Sequence, residues 1–158
     1  MNRTLQSVIS TTETSPISIA LIRLLVGAVF LSEGIQKFLF PDALGVGRFI
    51  KIGIPAPEVM APFVGVVEIV GGVLLLIGLF TRPAAVALIV DMIVAISTTK
   101  IPMLIESGFW KMAHEARTDW SMLLGSIVLL ILSAGKWSVD WKIGNREQPT
   151  IGKSQGTR

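Results

Sequence analysis

The stretch Val64 to Pro83, VGVVEIVGGVLLLIGLFTRP, is too long and too apolar for an ordinary surface helix, and it carries one acid, Glu68. At about 100° per residue, Gly65, Gly71 and Gly72 fall within roughly 60° of Glu68, so acid and glycines share one helix face. Such a face is a helix-packing device, a functional site, or both. Comparable apolar runs begin near Ile17, Pro83 and Asp119.

Composition decides the solvent. Of 158 residues, 51% are hydrophobic and 16% charged, which leaves too little polar surface to cover a water-soluble domain of this size. An integral membrane protein is expected, with room for four spans of about 20 residues. The fold class is all-α: a four-helix transmembrane bundle with a short amphipathic segment between helices 3 and 4. The net charge of +3 comes from scattered Lys and Arg, mostly at span ends, so nucleic acid is not an expected partner and the lipid membrane is. Cys is absent and His114 is the single histidine. Disulfides, thiolate metal sites and bis-His haem ligation within this chain are thereby excluded, and no metal motif is present.

In chain order, residues 1–16 form a polar tail expected to be disordered. Span one, about 17–40, carries Arg23, Glu33 and Lys37, with Arg23, Gly27, Phe30, Gly34 and Lys37 on one stripe. Pro41 to Pro57 is either a short interfacial segment lying on the membrane or a plain connecting loop. Span two, about 59–80, contains Glu68 and forms a hairpin with span three, about 83–98, through the turn at Thr81, Arg82 and Pro83. Span three carries Asp91 in a stripe with Ala84, Ala87, Ala95 and Thr98, and Lys100 and Pro102 mark its far end. The stretch 103–119 allows an amphipathic surface helix. Span four, about 119–134, has Asp119 as N-cap and a packing stripe of Ser121, Gly125, Val128 and Leu132. Residues 136–158 form a basic polar tail. Four spans put both termini on one side, with seven cations against five on the other, which places the termini in the cytoplasm of a bacterial inner membrane.

An unpaired acid at the centre of a membrane costs about 2.5 to 3.5 kcal/mol or more, so Glu33, Glu68 and Asp91 need partners, water or protons. Depth along the helices pairs Arg23 with Asp91 and Glu33 with Lys37. Glu68 is left as a neutral acid or a second partner of Arg23, and so becomes the leading site residue. These charges can equally serve only to hold the helices in register.

RLLVGAVFLSEGIQKF at Arg23 to Phe38, the Gly-x-Pro of Gly53 to Pro55, GVVEIVGGVLLLIGLFTRPAA at Gly65 to Ala85 and AHEARTDWSMLLGSIVLLILSAGKWSVD at Ala113 to Asp140 together resemble the DoxX family of small four-span membrane proteins. The resemblance implies a four-helix membrane bundle whose relatives include subunits of a thiosulfate:quinone oxidoreductase, proteins linked to redox stress, and distant chaperones or cargo receptors. The polar residues that match are Arg23, Glu33, Lys37, Glu68, Arg82, Asp91, His114, Arg117 and Asp119. On that footing the expected ligand is a quinone or another small apolar molecule. Glu68 and His114 are the candidate catalytic residues, and Arg23, Glu33, Lys37, Asp91, Arg117 and Asp119 form the polar seam. A quinone site needs an apolar slot and a protonatable group near each carbonyl. Glu68 would move a proton, and His114 or Arg117 would hold an oxygen. With no cysteine, one histidine and no nucleotide fingerprint, electrons must come from a redox partner subunit or a diffusing reductant. The alternatives are a non-enzymatic membrane chaperone, binder or transporter using the same seam, and a purely structural subunit.

Overall fold

The computed structural model describes residues 16–146, and these are helical almost throughout, without strands. In order they form α1 (Pro16–Leu39), α2 (Val46–Lys51), α3 (Pro57–Ile77), α4 (Thr81–Ser107), α5 (Phe109–Glu115), α6 (Arg117–Leu132) and α7 (Val139–Arg146). Helices α1, α3 and α4 are each long and apolar enough to cross a membrane. The fourth long helix, α6, has 16 residues, short of the roughly 20 that a straight span needs.

Packing runs α1 on α3, α3 on α4, α4 on α6 and α6 back on α1. The shared core is Val26, Phe30, Leu75, Leu88 and Leu129. Leu21, Leu24 and Leu25 on α1, Val66 and Val70 on α3, Val90 and Ile93 on α4 and Ile131 on α6 point outward, each more than half exposed. An outer face of large apolar side chains is the arrangement a lipid solvent favours.

The tightest seam is α1 against α3, and glycine makes it. A Cβ on Gly34 would stand 2.7 Å from the Gly65 carbonyl oxygen, and one on Gly72 would stand 2.8 Å from that of Gly27. The two backbones are therefore in contact at Gly27 with Gly72 and at Gly34 with Gly65. Gly71 faces the other way, against the Leu88 side chain of α4. The glycines around Glu68 thus pack two neighbours, and the acid sits between them.

At the α3–α4 turn, Gly78 takes φ +69 and Phe80 φ +49, both left-handed. Such a backbone costs about 1 to 3 kcal/mol at a non-glycine residue unless its surroundings hold it. Asp140 of α7 supplies the hold: its carboxylate accepts from the backbone N–H groups of Phe80 and Thr81 at 2.9 and 3.1 Å. It thereby caps the first turn of α4 from sixty residues away. Residues 139–146, expected as part of a polar tail, are a helix with this task. The tail residues 1–15 and 147–158 lie outside the described residues.

Three further boundaries differ from expectation. Helix α4 does not stop near Thr98 but runs to Ser107 with Pro102 inside it. Proline removes one backbone donor there, and Lys100, two residues before it, is bonded to Glu115 O and Asp119 of the following helices. The surface segment is correspondingly shorter, reduced to α5, with Gly108 at φ +81 as the break. The buried face of α6 is Met122, Ser126 and Leu129 rather than Ser121, Val128 and Leu132, with Gly125 beside it against Val26. The connection 41–57 contains a helix, α2, which packs on α3.

Candidate functional site

The hairpin geometry places Glu68 and Asp91 opposite each other. They are equally far from the turn at Leu79 and Phe80, and the α3–α4 contact of Gly71 with Leu88 fixes that register. Their carboxyl groups come within hydrogen-bonding reach of one another. Lys37 completes the group from α1, its Nζ 2.5 Å from Glu68 Oε2. The approach follows from helix direction. Side chains lean toward the N-terminus of their own helix, so across an antiparallel pair Lys37 and Glu68 lean toward the same level.

This arrangement corrects the pairing expected from depth alone. Glu33 is not the partner of Lys37; it is exposed and lies toward the mouth of the cavity described below. Arg23 pairs with neither Asp91 nor Glu68. Its guanidinium donates to the backbone carbonyls of Ala134 at 2.6 Å, Trp137 at 3.0 Å and Leu76 at 3.4 Å. Leu76 lies in the last turn of α3, where backbone acceptors lack partners and the helix dipole favours a cation, and Ala134 and Trp137 lie in the connection between α6 and α7. Arg23 is therefore a clasp at the turn end of the molecule, remote from the two acids. Gly78 leaves it room: a Cβ there would stand 2.5 Å from Arg23 Nη1.

Lys37, Glu68 and Asp91 line one wall of a cavity of about 330 Å³. Val29 and Phe30 of α1, Val64 of α3 and Met92 of α4 supply apolar wall, and Leu44, Phe49 and Ile52 on and around α2 cover it. The segment between the first two spans is thus the roof of a pocket, a role its alternation of Gly, Pro and bulky apolar residues left open. The opposite wall carries a second ion pair, Lys100 Nζ to Asp119 Oδ2 at 3.1 Å, with Lys100 also donating to Glu115 O at 3.2 Å. Asp119 therefore lies inside α6 as a tether to α4. It makes no side-chain cap bond to the start of its own helix.

His114 and Arg117 stand apart from the cavity. Both are exposed, with Arg117 Nη1 2.6 Å from His114 Nε2 and 3.0 Å from its carbonyl oxygen. Of the eight candidate residues, Lys37, Glu68 and Asp91 come together, while Glu33 and Asp119 line the same cavity elsewhere. Arg23, His114 and Arg117 lie outside it. Sequence reasoning overlooked Lys100, taken as an end marker, and Asp140. The symmetry of Glu68 and Asp91 about the turn was the available signal for their juxtaposition.

Among the described residues no group of three or more His, Cys, Asp or Glu is placed to hold a metal ion. What the site can do is bind a small, mostly apolar molecule with one polar end, and exchange protons with that end through carboxyl groups shielded from bulk water.

A helical membrane protein with charged groups facing an internal cavity is the class that fold and site define. Residues 18–101 match the model of the DoxX family, and the chain belongs to that family. The match covers α1 to most of α4, and so all three residues of the triad. The chain is 57% identical over 137 residues to an uncharacterized membrane protein of Mycobacterium tuberculosis, covering 83% of this chain and 84% of that one. It is also 31% identical over 120 residues to a Bacillus subtilis protein named "Putative oxidoreductase CatD", covering 76% of this chain and 82% of the relative. No solved structure gives a significant match.

Proposed function

We propose that this protein binds a quinone-type lipid in the cavity and serves as a membrane component of a quinone-linked redox system. The observation that carries the reading is the Lys37–Glu68–Asp91 group, set in the wall of a largely apolar cavity between helices long enough to span a membrane. The apolar wall takes the ring and tail, and the triad takes an oxygen of the head. In its neutral form the triad carries one proton on its two carboxyls beside the lysine ammonium, which is the form a low-dielectric wall favours. That proton is the one to be exchanged with the ligand. Electrons come from a partner subunit or a diffusing reductant, since no side chain here is a common redox centre. The printed name of the Bacillus subtilis relative accords with a redox role.

The test is extraction of lipid from protein purified in mild detergent. A co-purified quinone, identified by its ultraviolet spectrum and mass, is expected; its absence even after the membranes are supplemented with quinone would overturn the reading. The second reading is a carrier of a different small molecule without redox chemistry. It draws on the position of His114, the single imidazole, outside the cavity. The same extract identifies that molecule.

With the site goes a topology. Helix α6 is the fourth span, and both termini face the cytoplasm of a bacterial inner membrane. The chain contains no cysteine, so single cysteines introduced at Arg82 and at Lys111 report the sides directly. An impermeant maleimide applied to intact cells labels Lys111→Cys and spares Arg82→Cys.

A further inference from the structure

At the triad wall the hydrogen-bonding capacity of the cavity is unbalanced toward acceptors. Thr98 donates its hydroxyl proton back to Val94 O and Ala95 O of its own helix, and Thr99 donates to Ala95 O. Lys100 is engaged with Asp119 and Glu115 O. These donors are taken up by the protein, and Thr118 lines the cavity from an exposed position. Arg48 keeps its donors at the exposed rim. At the triad, Lys37 gives one N–H to Glu68 and retains others, and Asp91 stands beside Glu68 with no ion pair of its own to Lys37.

With the proton of the neutral triad held between the two carboxyls, a ligand oxygen entering this wall meets one cation and the remaining carboxyl lone pairs. A quinone carbonyl only accepts, so it satisfies Lys37 and turns its own lone pairs toward Glu68 and Asp91. A phenolic hydroxyl does both: its oxygen accepts from Lys37 and its proton goes to a carboxyl oxygen. We propose that the cavity is selective for the reduced, hydroquinone form of its ligand, with the Glu68 and Asp91 carboxyls accepting the hydroxyl proton and Lys37 donating to the hydroxyl oxygen. The inference rests on the reading of the cavity as a quinone-type site. It adds which redox state the resting site holds. A reaction that generates hydroquinone elsewhere in the membrane would supply this ligand.

The full chain in lipid nanodiscs is titrated anaerobically with a decyl-chain benzoquinone and, separately, with the same compound reduced to the hydroquinone. The hydroquinone is expected to bind at least about tenfold more tightly, the scale of one charge-assisted hydrogen bond. Glu68→Gln and Asp91→Asn each place an amide donor on the wall, and each is expected to narrow the preference to less than about threefold by improving quinone binding. Two variants are used so that failure of one to fold leaves the other. Equal affinity, or tighter binding of the quinone, overturns the selectivity and leaves the site reading standing. A hydroquinone preference that both amide variants retain overturns its assignment to these carboxyls. If neither form binds, the site reading falls and this inference with it.

Discussion

Glu68 and Asp91 face each other across the α3–α4 hairpin, carboxyl to carboxyl, with Lys37 as the cation that makes the contact tolerable. Two acids side by side in a membrane are costly unless a partner or a proton offsets them. The Lys37 and Glu68 side chains are only 13% and 6% exposed, so the partner is not replaceable by water. Breaking such a pair from one side strands the other charge, at a cost of about 3 to 5 kcal/mol.

A double-mutant cycle checks this. Lys37→Met and Glu68→Gln, each alone, lower unfolding stability in detergent by unequal amounts, with Lys37→Met the worse because it leaves two acids without a cation. The double variant recovers part of the loss, giving a coupling of about 1 to 3 kcal/mol. Additive losses would mean that the two side chains do not act on each other.

Arg23 gives the opposite kind of prediction. Its planar fork reaches three carbonyls, one in the last turn of α3 and two in the α6–α7 connection, which one ammonium cannot match. Arg23→Lys is expected to lower stability by about 2 to 4 kcal/mol. The decyl-benzoquinone affinity of the folded fraction should stay within about twofold, because the clasp lies at the end remote from the cavity. Thermal unfolding and binding measured on the same sample separate the two effects.

Adjacent glycines distinguish backbone contact from side-chain contact. A methyl at Gly72 meets Leu31 N at 2.7 Å and Gly27 O at 2.8 Å, both backbone atoms that yield only if α1 and α3 separate. A methyl at Gly71 meets the Leu88 side chain at 2.9 Å, which can turn aside. Gly72→Ala should cost about 2 to 3 kcal/mol and Gly71→Ala less than about 1.5, read from thermal unfolding in one detergent. Gly72→Ala should also weaken ligand binding, since Lys37 moves with α1.

His114 and Arg117 are exposed and hydrogen-bonded to each other. His114→Gln is expected to change decyl-benzoquinone affinity by less than about twofold, against a much larger change for Glu68→Gln. A large effect at His114, measured by the same nanodisc titration, would place a ligand contact on the α5 side.

How far the residues alone led depended on the kind of information each carried. Long apolar runs announce helices whatever their partners, so α1, α3, α4 and α6 were legible, as was the face shared by Glu68 and its glycines. Partnerships were not. Ranking Arg23, Asp91 and Glu68 by depth treats charges as points on the helix axis, whereas Lys37 reaches its partner because both side chains lean along antiparallel helices. Arg23 was matched to an acid because the backbone carbonyls that the fold brings to it are invisible in a sequence, although they are acceptors too. Pro102 read as a stop because its local preference is strong, yet α4 continues through it to Ser107, with Lys100 bonded to Asp119 and Glu115 beside it. Asp140 lay in a segment too polar to attract notice, and only the fold brings it to the turn at Phe80.

The central claim is that Lys37, Glu68 and Asp91 form the polar wall of an occupied ligand cavity. Photolabelling with an azido-quinone in nanodiscs, followed by peptide mass spectrometry, tests it most directly. The account predicts labels on the cavity-facing residues of α1, α3 and α4, among them Phe30, Val64 and Met92, and their loss when unlabelled quinone competes. Labels confined to outward residues such as Leu24, Val70 and Ile131, unaffected by competitor, would show that the quinone dissolves in the surrounding lipid and that the cavity does not bind it.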